Sequence, residues 1–329
     1  MFSFLPHGQT ARSRLALLLA AAAVLAAALG VLYAPGNDFS VKQTEHRHKF
    51  GAVYMTLNNP FYEIIDEEIR TVVENHGDVL LSRDPALSVE KQTEEIEDLI
   101  AEGVSVIFLN PVDYTRMGPA LEAAREAHVL VITIDTNVQD SGYVASTIET
   151  DNYAAGRACA EHLLGTAPGA RILLLEHRSA RSAVDRIDGF RDTLAGHAGF
   201  TIVDAEDCDG QLERAMPATE EMLRRHPEAD TIMALNDPSA LGAMAALESL
   251  GRLQDFRVYG VDGVPETKEL ILAGRMTATA GQSPRRIGHI AAEQAYDLLA
   301  GKTVDRLIQL PPHLWTRENL TPEQTKEWN

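Results

Sequence analysis

Asn58-Asn59-Pro60-Phe61-Tyr62 sets two asparagines beside two aromatics within one short stretch. The amides offer donors and acceptors and the rings offer flat apolar faces, which suits a ligand hydroxylated on its edge and hydrocarbon on its face. A sugar ring has that character. Further along, Asp135, Asn236 with Asp237, Asp262 and Gln282 carry the same chemistry. An ionised carboxylate accepts two hydroxyl protons at once through charge-assisted bonds about twice as strong as neutral ones, so aspartates suit recognition of a polyol. The same residues also admit a structural reading, in which Asn59 caps a helix, Phe61 and Tyr62 are core, and each other polar residue caps the helix or turn that follows it.

The surrounding pattern names the elements that must position these groups. Residues 50–54 form an apolar, strand-like run, and Ile65, Ile69, Val72 and Val73 fall on one helical face. The aromatic loop therefore joins a strand to a helix, with Asn59 at the N-cap and Pro60, which lacks an N–H to leave unpaired, at the first helical position. Apolar runs recur at 79–81, 104–109, 129–134, 171–175, 231–235, 257–261 and 276–280, alternating with amphipathic segments of helical length. That alternation predicts an α/β fold with parallel sheets and crossover helices. Gly77, Gly103, Gly251 and Gly274 stand where left-handed helix caps are wanted. The series is too long for one sheet, and the character of the chain breaks at Glu149-Thr150-Asp151, so two lobes of similar plan are expected. In parallel sheets ligands bind beyond the carboxyl ends of the strands. Asp135, Asn236 and Asp262 each follow directly on such a run, and Gln282 comes just after the run at 276–280.

Composition narrows the class. A chain of 329 residues exceeds what one hydrophobic core usually organises. Its 29 basic against 48 acidic residues give a net charge of −19, a field that repels phosphate backbones, so nucleic acid is excluded as a partner. Arg12 and Arg14 precede an apolar run at 15–33 with no acidic residue before Asp38, the pattern of an export signal. It is either cleaved near Ala26-Ala27-Ala28 or kept as a tether, since about 20 apolar residues cross a bilayer. Both alternatives place the folded part outside the cytoplasm. No cysteine lies there to carry a lipid anchor, and 34–49, with His46 and His48, is expected to be a solvated linker. Cys159 and Cys208 are the only cysteines, and nothing in the sequence decides whether they pair.

Catalytic constellations are missing: there is no Gly-x-Ser-x-Gly elbow, no His-Glu-x-x-His and no cysteine pair at metal spacing. Gly301-Lys302-Thr303 ends like a phosphate loop but follows a helical pattern, and His177 closes a strand without a nucleophile beside it. A protein that is not an enzyme and needs neither metal nor cofactor is expected.

The motifs together resemble a known family. Asn58-Asn59-Pro60-Phe61-Tyr62, the Asn110-Pro111 turn, Ile132-Thr133-Ile134-Asp135, Asp188-Gly189-Phe190, Asn236-Asp237 followed by Ala240-Leu241-Gly242-Ala243, Gly260-Val261-Asp262-Gly263 and Gln282-Ser283-Pro284 are similar to the ribose-binding branch of the periplasmic sugar-binding proteins, over about residues 50–316. The resemblance implies two Rossmann-like lobes joined by a three-segment hinge, with a sugar or polyol in the interlobe cleft. It also implies a monomer that closes on its ligand and delivers it to an ABC-type importer in the inner membrane, or signals its presence to a membrane receptor. By that resemblance residues 50–149 and 283–306 form the first lobe, and 150–282 and 307–329 the second. Asn59, Phe61, Tyr62 and Asp135 come from the first lobe, Asn236 and Asp262 from the second, and Gln282 from near a crossing.

Departures from the family pattern bear on the ligand. Thr136 stands where pentose-binding members have arginine, and Val184 where they have another, with Arg181 one turn earlier to reach in; Cys208 replaces an aromatic. Fewer guanidinium forks hold fewer hydroxyls bidentately, which implies a sugar or polyol other than ribose. The same core occurs in regulators resembling the lactose repressor family, but those carry a DNA-binding helix-turn-helix where this chain has an apolar leader.

Overall fold

The computed structural model describes residues 19–24 and 47–328. Met1–His46 and Arg47–Asn329 are separate compact units. In the first, residues 19–24 are helical; most of the expected export run at 15–33, and the alternatives of cleavage or retention, lie outside the described residues. Among the described residues no helix is long and apolar enough to cross a membrane.

In the second unit the alternation becomes two sheets. The first contains β1 (Lys49–Val53), β2 (Val79–Arg83), β3 (Val106–Leu109), β4 (Leu130–Ile134), β5 (Ser146–Thr150) and β11 (Leu307–Leu310), in the order β11-β5-β4-β3-β1-β2. The second contains β6 (Ala170–Glu176), β7 (Phe200–Asp207), β8 (Thr231–Ala234), β9 (Arg257–Asp262), β10 (Ala278–Gly281) and β12 (His313–Thr316), in the order β12-β10-β9-β8-β6-β7. The two orders are the same plan, as the sequence led us to expect, and among the described residues only β12 against β10 is antiparallel. Lys49 already pairs in β1, and His48 N–H donates to Asp78 Oδ1 at 2.8 Å, so the expected linker stops short of 48.

The helices are α1 (Pro60–Asn75), α2 (Val89–Ala101), α3 (Gly118–Glu126), α4 (Asn152–Thr166), α5 (Arg181–Leu194), α6 (Leu212–Arg225), α7 (Asp237–Ser249), α8 (Pro265–Leu272) and α9 (Pro284–Leu299). α1 buries Phe61, Tyr62, Ile65, Ile69 and Val73, a stripe at helical spacing, against its sheet. α4 and α5 meet through glycines: a Cβ on Gly156 would stand 1.7 Å from Arg186 O, and one on Gly189 2.1 Å from Tyr153 O. That close crossing fixes α5 and everything it carries.

The chain passes between the sheets three times, at Asp151, at Gln282-Ser283 and at Pro311-Pro312. The third crossing corrects the boundary expected at 306/307. Leu307–Leu310 pair in parallel with Thr147–Thr150, so they belong to the first sheet, and two prolines then carry the chain across. Both cysteines are buried and free; Cys159 Sγ faces Gly260 O and Cys208 Sγ faces Ser239 Oγ, so the structure holds no bridge between them.

Candidate functional site

The carboxyl ends of both sheets face each other across one narrow hollow that residues of both lobes line. Asn59, Phe61, Tyr62 and Asp135 line it from the first lobe, and Asn236, Asp262 and Gln282 from the second. Seven of the nine residues expected at the site are thus brought together.

On the first wall the structural and ligand-facing readings both hold. Asn59 caps α1, its Oδ1 accepting from Phe61 N–H at 2.9 Å, which leaves its amide nitrogen over for the cavity. Phe61 and Tyr62 are core residues whose rings also border the hollow. The Tyr62 hydroxyl and Asn110 Nδ2 each donate to Asp135 Oδ2 at 3.3 Å. Burial raises the Asp135 carboxyl above its ordinary range, against the pull of a nearby guanidinium.

That guanidinium belongs to Arg186, on the second wall. It is 4% exposed; Nε donates to Asn152 Oδ1 at 2.8 Å and Nη1 to Leu235 O at 3.1 Å. Nη2 lies 3.6 Å from Asp135 Oδ1 and Nη1 3.7 Å from Asp262 Oδ1, so one cation sits between the acids of the two lobes. Gln282 Nε2 donates to Asp262 Oδ1 at 2.8 Å. Burial raises the Asp262 carboxyl too; Arg186 opposes this and Asp237 adds to it. Asp135 at φ +64° and Asp262 at φ +142° hold backbone conformations that cost a non-glycine residue about 1 to 3 kcal/mol, and both point a carboxylate inward at the end of a strand.

Three acceptors of these residues, Asp135 Oδ1, Asp262 Oδ2 and Gln282 Oε1, are buried with no hydrogen-bond donor among the described residues. A buried acceptor left unpaired costs about 1 to 3 kcal/mol, a cost that a donor brought in from outside the chain would offset. Asp237 is the opposite case. Gly263 N–H, Val264 N–H, Thr267 Oγ1 and Thr279 Oγ1 all donate to it, and it holds loops together.

Two expected residues fall elsewhere. Thr136 is buried, and its Oγ1 accepts from Ser182 N–H at 2.8 Å, tying the first lobe to the start of α5 behind the cavity wall. Arg181 is 43% exposed and paired with Asp185 on its own helix. Arg186, three residues before Gly189-Phe190, is the arginine that faces the hollow, in place of the Val184 and Arg181 of the sequence reading. It shares its buried face with Ala183, Ile187 and Phe190, and a charge on an otherwise apolar stripe was the signal that could have found it. His177 also lines the cavity; burial lowers its imidazole to about 4, so it is neutral there, with Nε2 and Ser179 Oγ 2.9 Å apart.

A model of the periplasmic binding protein domain matches residues 50–303, and the chain belongs to that family. It is similar to the ribose import binding protein of Bacillus subtilis, with 32% identity covering 86% of this chain and 91% of that one. Among solved structures it is similar to an ABC transporter solute-binding protein from Mycobacterium smegmatis with bound glycerol (31% identity, TM-score 0.77, covering 83% and 96%). The Caulobacter myo-inositol-binding protein bound to myo-inositol is another (27% identity, TM-score 0.78, covering 82% and 94%).

Proposed function

We propose that this protein binds a monosaccharide or related polyol outside the cytoplasm and delivers it, as a monomer and without chemical turnover, to an ABC-type importer. The observation that carries this reading is the set of three donorless acceptors around one buried guanidinium, in a hollow that opposite lobes enclose. Carboxylates and a glutamine oxygen take hydroxyl protons, Arg186 donates to hydroxyl oxygens, and Phe61 and Tyr62 cover a ring face. The relatives, named for ribose or solved with glycerol or myo-inositol, bind molecules of this class. Thr136 spends its hydroxyl on Ser182 and adds no second cationic fork, which favours a ligand other than ribose.

Lobe-to-lobe bonds fit closure about the hinge: beside Thr136 with Ser182, Tyr114 N–H donates to Ser179 O at 3.0 Å. A ligand held by one wall completes its bonds only when the other arrives, so binding shifts the open and closed populations, and the closed form is what an importer reads. Thermal-shift screening against pentoses, hexoses, inositols and glycerol, followed by calorimetry and chromatography of the recovered ligand, tests the proposal. At least one polyol should raise the midpoint and be recovered intact; no rise with any of them refutes it.

A further inference from the structure

Beyond β12 the chain makes one more excursion. Asn319 Oδ1 accepts from Thr316 N–H and its Nδ2 donates to Leu314 O, both at 2.8 Å, while Gln324 Oε1 accepts from Thr321 N–H at 2.9 Å. Leu320 and Thr325 are buried, and the turn at Gln324–Lys326 packs on α8 of the second lobe. Beneath it lies Lys268, wholly buried on α8, whose Nζ donates to Glu327 O and stands 5.7 Å from the Trp315 ring centre. A buried ammonium needs such partners, so this segment is anchored to the second lobe by more than apolar contact.

The next residue leaves that lobe. The Trp328 indole packs on Phe61 with ring centres 5.9 Å apart and planes at 57°, and Phe61 belongs to the first lobe, where it also borders the cavity. The contact thus joins a second-lobe segment to a first-lobe site residue, and hinge opening would pull the two apart.

We propose that residues 317–328 are a strap across the lobe boundary, in which Trp328 positions Phe61 at the cavity and biases the lobes towards closure before any ligand arrives. The proposal rests on the hinge described above but not on the identity of the ligand. An aromatic pair made in only one of two states shifts their ratio by about two- to tenfold.

The test needs no sugar, so it stands apart from the sugar reading. Small-angle scattering on the unliganded protein should give a larger radius of gyration for Trp328→Ala than for wild type, with Trp328→Phe returning towards wild type. Because the chain has only two tryptophans, Trp315→Phe leaves Trp328 as the sole tryptophan, to be excited selectively over the tyrosines. Its quenching by acrylamide should be weak and should rise about threefold when Phe61→Leu is added, with circular dichroism confirming that each variant is folded. Equal radii for wild type and a folded Trp328→Ala, or a Trp328 as open to quencher with Phe61 as without it, overturn the proposal. If Trp328→Ala does not fold, the quenching pair decides by itself.

Discussion

β1 leads into α1 in the first sheet just as β6 leads into α5 in the second, and β4 occupies the same place as β9. At the strand ends the two lobes keep their likeness, since each presents an aspartate at positive φ. At the helices they part. α1 brings Phe61 and Tyr62 to the hollow, whereas α5 brings Arg186. A duplicated scaffold thus carries two unlike walls, rings on one side and a cation on the other, which would suit the proposed ligand with an apolar face and a hydroxylated rim. Arg186 serves both acids, but Asp262 shares its lobe and Asp135 reaches it only across the cleft, so Asp135 is the carboxylate tied to closure.

The most severe way to break this arrangement is Arg186→Met, which leaves two buried carboxylates without their shared cation. We expect a stability loss on the order of 3 to 5 kcal/mol near neutral pH by denaturant titration, recovered in large part at pH 5 as the acids take up protons. A loss of the same size at both pH values would mean that Arg186 contributes packing and not charge. The contrast between satisfied and unsatisfied acids is sharpened by a pair of variants. Asp262→Ala should weaken polyol binding by about 2 to 4 kcal/mol in calorimetry and cost little stability, while Asp237→Ala should lower the thermal midpoint by unpairing its donors. The reverse assignment would place the binding carboxylate at 237.

A smaller effect concerns the hinge. Glu149 in β5 accepts from Gln309 Nε2 of β11 at 3.0 Å; burial, with Asp185, Asp135 and Asp151 nearby, lifts its carboxyl to about 7. Its folded form therefore holds a proton that the unfolded chain releases at lower pH. The stability it contributes is fully present below about 4.5 and is lost as pH rises through about 7. Wild type should lose about 2 kcal/mol between pH 5 and pH 7 that Glu149→Gln does not lose, and parallel pH profiles for the two would refute this. The smallest effect separates the two arginines of α5. Arg181→Ala, which breaks a half-exposed pair with Asp185, should change polyol affinity by less than about twofold. A tenfold loss would restore Arg181 to the site.

Much of this was legible before any coordinates, because the signals were local. Apolar runs of strand length, helix stripes such as Ile65, Ile69 and Val73, and aspartates directly after strands follow from backbone periodicity and from the rule that ligands meet parallel sheets at their carboxyl ends. The residues that went astray are those whose role depends on a partner distant in sequence. Arg181 and Arg186 lie five residues apart on one helix, and only the crossing at Gly156 and Gly189 decides which faces inward. The crossing at Pro311-Pro312 depends on β11 pairing with β5, for which a four-residue strand carries no signature of its own.

The sequence by itself therefore determined the layered α/β plan, its duplication and the polar positions at the strand ends, since each is written within a few residues of itself. Tertiary structure alone decided which of two buried acids stays short of donors, which arginine serves Asp135 and Asp262, and that Trp328 crosses to Phe61. Those outcomes depend on which groups meet after the chain has folded back, and hydrogen-bond satisfaction and charge pairing are properties of the meeting, not of either residue.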